Sequence, residues 1–402
     1  MNSIETKRLR GELKLYVIFH CLILLNINIY PLNILRLANS RLLVLIAVFV
    51  CALPPLNAAE IIWDKSSLTL VQERGGYGRM IRLNSGDILC SYESAREVRV
   101  RASKDNGSTW EPGVLVARYP HGTAANPEII QLRNDRVLCF YNERPRNGSK
   151  MPFTIMVSAS KDSGNTWSSP KQLYRAGQEF KNGCWEPAAI QLPSGEIQLF
   201  FANEGPYRSS SEQEIALMRS QDNGLTWSKP ERISFRAYHR DGMPVPLVLK
   251  NEKGIIVAIE DNGINGKFKP VILHTSITNK WSDGCIAGNS PRRWSALKMD
   301  LPRNVYAGAP YICQLPSGTT VISIQSNEGG RKEPQMVVYL GDNHAKNFAA
   351  KSVPFAIASD VGGKWNSLFV KNATTVTAIS STTIEGVRGL WAVDGQVRNR
   401  ER

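Results

Sequence analysis

The sequence predicts an all-β fold, a six-bladed β-propeller of four-stranded antiparallel blades, and three observations predict it. The octapeptide Ser-x-Asp-x-Gly-x-Thr-Trp occurs three times, at residues 103–110, 160–167 and 220–227, with starts 57 and 60 residues apart. A repeat of that length is a mark of solenoids and propellers. A second pattern, strand, tight polar turn, strand, recurs six times in phase with the first, and no stretch keeps a helical period.

Taken in order, the elements justify that reading. Glu60 to Val71 and the terminal Gly389 to Asp394 can share one blade and close the ring. The hairpins are centred on Ile81-Arg-Leu-Asn-Ser-Gly-Asp-Ile-Leu, Ile130-Gln-Leu-Arg-Asn-Asp-Arg-Val-Leu and Ile190-Gln-Leu-Pro-Ser-Gly-Glu-Ile-Gln-Leu. Three more follow at Val248-Leu-Lys-Asn-Glu-Lys-Gly-Ile-Ile-Val, Cys313-Gln-Leu-Pro-Ser-Gly-Thr-Thr-Val and Phe369-Val-Lys-Asn-Ala-Thr-Thr-Val-Thr. Each has β-branched or apolar arms around a polar turn, and six hairpins imply six blades. In the octapeptide, Ser and Asp can bond turn amides, Gly supplies positive φ, and Trp offers apolar surface to a neighbouring blade. It resembles the Asp-box of sialidase-type propellers, which implies a structural role for Asp105, Asp162 and Asp222. The segments 204–214 and 263–305 read as the longest irregular loops, on the faces of the propeller. One domain over residues 60–402 accommodates the whole repeat.

Residues 1–59 are of different character. Leu42 to Val50 is a continuous apolar run after Arg36 and Arg41, followed by Leu53-Pro-Pro-Leu-Asn-Ala-Ala, the layout of a secretory signal with cleavage near Ala58 or Ala59. A second apolar stretch, Leu15 to Leu35, lengthens this leader and leaves open an N-terminal membrane anchor or a start codon nearer residue 40. A secreted or periplasmic location is expected. Without residues 1–60 the chain keeps 43 basic and 32 acidic side chains, a net +11, which suits ordinary solubility or an acidic polysaccharide. No basic run with interleaved aromatics points to nucleic acid. Of seven cysteines two lie in the leader, and the remaining five have no C-x-x-C spacing, so they make neither a metal site nor a disulfide framework. Cys90 and Cys139 read as core, and Cys184 as packing.

A propeller does not specify chemistry, so function must come from side chains at the channel mouth. Glu186, between Trp185 and a proline, opens the inner strand of a blade. Glu260 ends the apolar run Ile255-Ile-Val-Ala-Ile, where a neutral residue would suit the core better. Two such carboxylates on successive blades can serve glycoside cleavage, which needs one acid for the leaving oxygen and one nucleophile or base.

The succession of Gly-Arg79-Met, Asn126-Pro-Glu, Asn-Gly-Cys-Trp185-Glu186-Pro, Arg240-Asp241-Gly-Met, Glu260 and Tyr306-Ala-Gly-Ala-Pro resembles the exo-α-1,5-L-arabinanase family over about residues 75–330. That family consists of six-bladed propellers of the sialidase superfamily that release arabinobiose with retention. The resemblance implies Glu186 as acid/base, Glu260 as nucleophile, and Arg79, Asn126, Trp185, Arg240, Asp241 and Tyr306 around the substrate. It implies an oligo- or polysaccharide substrate, no cofactor and no catalytic metal, and a monomer is expected.

An exo-sialidase ranks second. Its chemistry needs three arginines on the substrate carboxylate, a Tyr–Glu nucleophile and an Asp acid. Arg79, Glu186 and Tyr306 or Tyr311 could serve, but between Arg79 and the first octapeptide the only Asp is Asp87, in a hairpin turn. Phe200-Phe201 also occupies a place where a clamp arginine belongs. A silent carbohydrate-binding propeller is the third reading. Glu143 and Glu204 are further carboxylates able to line the pocket or cap its rim, and His121 and His239 lack partners at metal-ligand spacing.

Overall fold

The computed structural model describes residues 59–250 and 253–399; the apolar leader lies outside them. Six antiparallel sheets form the blades. Blade 1 comprises Gly76–Arg82, Ile88–Ser94, Glu97–Ser103 and Val114–Arg118; blade 2 comprises Gly122–Gln131, Val137–Pro145, Thr154–Ser160 and Lys171–Arg175. Blade 3 is built from Cys184–Gln191, Ile197–Asn203, Glu214–Ser220 and Glu231–Phe235, with Ile286–Ala287 added in parallel at its edge. Blade 4 holds Asp241–Val248, Gly254–Asn265, Lys267–Ser276 and Arg293–Ser295; blade 5 holds Ala307–Gln314, Thr320–Ser326, Gln335–Gly341 and Ala349–Ser352. Blade 6 runs Lys364–Val370, Thr375–Ile384, Val387–Asn399, and takes its outermost strand, Ala59–Glu73, from the start of the domain.

The first strand of each blade touches the first strand of the next, and the sixth returns to the first, so these six strands line the channel. All six hairpins read from the sequence join a first strand to a second. The Gln-Leu pair repeated in three of them has a structural reason: Gln131, Gln191 and Gln314 accept the amides of Asn84, Arg133 and Lys250 in the hairpin turn of the preceding blade, at 2.8, 3.0 and 2.7 Å. The segment 263–305 is more ordered than the sequence suggested. Gly254–Asn265 and Lys267–Ser276 form a long hairpin around Gly266 at φ 80°, because the β-branched run Val271-Ile272 continues the ladder.

The octapeptides close the turns between third and fourth strands in blades 1 to 3, as the Asp-box resemblance implied. In the first, Ser103 Oγ accepts the Gly107 amide at 2.7 Å, and Asp105 takes the Thr109 amide at 2.8 Å and its hydroxyl at 2.5 Å. The other two repeat these bonds on Asp162 and Asp222. Each tryptophan packs back onto the preceding blade: Trp110 on the blade 6–1 core, Trp167 on the 1–2 core, and Trp227 edge-on to Phe140 of blade 2 at 5.7 Å. Gly164 and Gly224 keep that approach close, since a methyl group at either would lie 2.9 Å from Leu89 or Leu138 of the blade before. The core is therefore a series of apolar layers between blades, and the axis is left to other residues.

Candidate active site

Every channel strand carries the same irregularity. Pairing with the second strand slips between Gly76 and Arg79, Ala125 and Glu128, Trp185 and Ala188, Gly242 and Val245, Gly308 and Tyr311, and Lys364 and Ser367. At each bulge one non-glycine residue sits at positive φ: Tyr77, Asn126, Glu186, Met243, Ala309 and Trp365, between 47° and 55°. In four of the six a proline follows, which removes an amide that the bulge would leave unpaired. Left-handed backbone strains a residue with a Cβ, and six repeats of it around one axis mark a built ring. Tyr77, Met243 and Ala309 meet and are buried, closing the channel. Asn126, Glu186 and Trp365 hold the other three ring positions.

Glu186 is half-buried and no hydrogen bond to its carboxyl is found among the described residues. Burial pushes its pKa up to about 8; Arg144 opposes this, and the charges of Glu260 and Glu204 add to it. Glu260 arrives from the second strand of blade 4. Its Oε2 accepts the Ala309 amide at 2.7 Å, and two glycines clear its space. A methyl group at Gly308 would lie 2.3 Å from Glu260 Oε2 and 2.7 Å from the Tyr306 hydroxyl; one at Gly242 would lie 3.1 Å from Glu260 Oε1. Burial raises Glu260 to about 7, held below Glu186 by the Ala309 amide and by Arg240. Tyr306 is raised above the ordinary phenol range, by burial first and then by the charge of Glu260, so its hydroxyl keeps its proton.

Glu204 ties the wall together. It accepts Trp185 Nε1 at 2.7 Å and Gln213 Nε2 at 3.2 Å, and pairs with Arg240. Asn126 donates its amide to Glu93 at 2.5 Å and accepts from Arg144, whose guanidinium lies 5.0 Å from the Trp185 ring centre.

The structure thus gathers Glu186, Glu260, Arg240 and Tyr306 at one mouth, and corrects four of the expected substrate contacts, of which Asn126 is one: it is 3% exposed, its backbone amide held by Glu93 and its side chain by Arg144. Trp185 is only 5% exposed, covered by Phe153 and Phe180 at 4.9 and 4.6 Å. It orients Glu204 and offers no face to a ligand. Asp241 is 0% exposed. Strand alternation explains this: Gly242 pairs with Glu260 on the channel side, so Asp241 and its cross-strand neighbour Asp261 face the other way. There Arg293 neutralises both, with Ser234 and Arg236 completing the cluster. Arg79 is 2% exposed, enclosed by the rings of Tyr77 and Tyr311 at 4.0 and 4.9 Å and facing Glu128 at 3.4 Å.

Arg144 is one residue that sequence reasoning missed. It follows Glu143 in a strand, and alternation alone sends the two to opposite faces: Glu143 accepts a bond from Thr154 at 3.1 Å, while Arg144 turns toward Asn126 and Trp185. Cys90, Cys139, Cys184 and Cys313 are buried free thiols and Cys285 is exposed.

Fold and turns together define a six-bladed β-propeller whose first three blades carry the same Ser-Asp-Gly-Thr turn. The family model of the BNR repeat-like domain matches residues 89–180. Among solved structures, the chain is similar to the GH93 α-L-arabinofuranosidase of Fusarium graminearum in complex with arabinobiose, at 20% identity over 85% of this chain and 95% of that one, TM-score 0.63. It is also similar to the α-L-arabinanase of Penicillium chrysogenum complexed with arabinobiose, at 17% identity over 83% and 98%, TM-score 0.63. A sialidase of Streptococcus pneumoniae aligns at 12% identity over 82% and 70%, TM-score 0.55. Likeness at these identities establishes the fold.

Proposed function

We propose that the protein is a secreted, exo-acting, retaining glycoside hydrolase of arabinanase-like specificity, with Glu260 as nucleophile and Glu186 as acid/base. One observation carries the reading. Two carboxyl groups face one pocket in unequal surroundings, Glu260 receiving an amide hydrogen bond and Glu186 none, so their pKa values are pushed up to about 7 and about 8. Such a pair divides acid from base work. A Glu260 oxygen attacks the anomeric carbon while the Glu186 proton passes to the departing glycosidic oxygen, leaving a glycosyl ester on Glu260. Glu186, now ionised, takes a proton from water, whose oxygen attacks the same carbon and frees Glu260. Arg240, between Glu204 and the two carboxylates, limits repulsion as charge moves.

A sialidase reading finds less support. Arg79 is closed off with Glu128, and burial holds the Tyr311 hydroxyl far above the range of a ready nucleophile.

The test is to incubate the purified chain with linear α-1,5-arabinan and with sialyl-lactose and to follow the products by chromatography and the anomer by NMR. Arabinobiose released first as the α-anomer is expected, with Glu260→Ala lowering kcat by about 10⁴-fold. Activity should fall below pH about 7, where Glu260 is protonated, and above about 8, where Glu186 loses its proton. Free sialic acid, or full activity in Glu260→Ala, would overturn the assignment. Glu186→Gln separates enzyme from lectin: an enzyme loses turnover and keeps affinity, whereas a lectin keeps its only function.

A further inference from the structure

Trp365 is an exposed tryptophan that the reaction above does not use. It holds the bulge position of blade 6, which stands three blades from that of blade 3 and therefore opposite Glu186 across the channel. Its neighbours in the ring are closed, yet its own side chain is 41% exposed. Its backbone is strained, at φ 55°, and gripped from both sides. The amide donates to Gln325 Oε1, and the carbonyl accepts from Arg79 Nη1 at 3.3 Å. Gln325 is itself buried, and its Nε2 donates to the Tyr306 hydroxyl at 3.3 Å, which faces the same space as Glu260 Oε2. The indole is thus tied through one buried amide to the wall that carries the nucleophile. Behind it stands the Tyr77 ring, 6.1 Å away and tilted by 38°.

Strain of this kind persists only where the surroundings enforce it. A buried clamp holding an exposed ring aims that ring at something in the pocket. Indole faces accept the C–H-rich faces of neutral sugars, because their area is apolar and their quadrupole is negative above the ring. We infer that Trp365 is a specificity-determining residue, the platform on which a neutral sugar ring of the substrate stacks while Glu186 acts from across the channel. This rests on the glycoside hydrolase reading and deepens it. Arg79 then has a role without touching substrate, as one jaw of the clamp.

The experiment compares the wild type, Trp365→Phe and Trp365→Ala on linear α-1,5-arabino-oligosaccharides, with thermal melting of each protein. In Trp365→Ala the KM should rise about ten-fold with kcat within two-fold, Trp365→Phe should lie between, and the melting temperatures should differ little, since the clamp bonds the backbone of residue 365 and not its indole. Binding of the same oligosaccharides to Glu186→Gln should change the tryptophan fluorescence, and Glu186→Gln/Trp365→Phe should lose that change. An unchanged KM, or a KM rise accompanied by a matching loss of thermal stability, overturns the platform and leaves the hydrolase reading standing. Absence of hydrolysis by the wild type, with no binding by Glu186→Gln, overturns both.

Discussion

Two sets of carboxylates on this propeller are driven in opposite directions. In the Asp-box turns, Asp105 and Asp222 are lowered to about 2, because in open water each accepts the hydroxyl and amide of a nearby threonine. At the mouth, Glu186 and Glu260 are raised to about 8 and about 7, because burial removes water and few donors replace it. The turns favour their charges; the mouth tolerates its own. Backbone and side chain are also apportioned differently. The Asp-boxes repeat both, whereas the ring of bulges repeats a backbone and places a different residue on each blade. Where the sequence repeats, the residue holds the turn; where only the backbone repeats, each side chain is free to do chemistry.

The comparison breaks most visibly at glycines. Gly308→Ala puts a methyl group against Glu260 Oε2, so kcat should fall about 100-fold, as expected for a catalytic group displaced by about 1 Å, with little change in melting temperature. Gly164→Ala, at φ 91° and against Leu89, should do the reverse, lowering the melting temperature with kcat per folded molecule unchanged. If both variants lost the same property, the division between turn and mouth would be wrong.

A smaller effect sharpens it. With a folded pKa raised above its unfolded value, Glu186 binds more protons in the folded state, so its contribution to stability declines as pH rises from about 4.5 to about 8. Glu186→Gln should therefore be indistinguishable from wild type in denaturant melts near pH 4 and more stable near pH 8.5, by on the order of 2 kcal/mol. The Asp-box carboxylates obey the opposite sign. Their stabilisation is full above the unfolded value of about 4 and is lost as pH falls through about 2. The smallest change is Trp227→Ala, which removes a half-buried indole from Phe140 and should cost about 1.5 kcal/mol in urea melts with kcat unaltered.

Much of the fold was legible because repeats report turns. The octapeptides, the six hairpins and the closing strand pair all follow from local patterns, and the Gln of the repeated Gln-Leu pair does the same work in three hairpins. A fourth turn of the Asp-box kind, around Asp342 in blade 5, has lost the Ser, Gly, Thr and Trp, though Asp342 still accepts the amides of His344 and Lys346 at 2.9 and 3.0 Å. Its geometry outlived the letters that would have revealed it. The site was legible only in part. Glu186, Glu260, Arg240 and Tyr306 share a mouth, but Arg79, Asn126, Asp241 and Trp185 are buried and Trp365 was overlooked. The bulge is the cause. One extra residue per channel strand reverses which neighbour faces the axis, and the proline that follows it in four of the six is too common a residue to announce it.

The strand that closes blade 6 has a consequence for the life of the chain before any substrate is met. Residue 59 pairs with residue 399, so the first strand made must wait unpaired until the last has emerged. Its edge is open during synthesis, when a strand partner from another chain would fit equally well. Closing the circle is a late, long-range event and sets a slow step in folding. The same clasp is where the ring opens first under force or protease, since releasing one terminal strand exposes blade 6 while the five other blades keep their four strands.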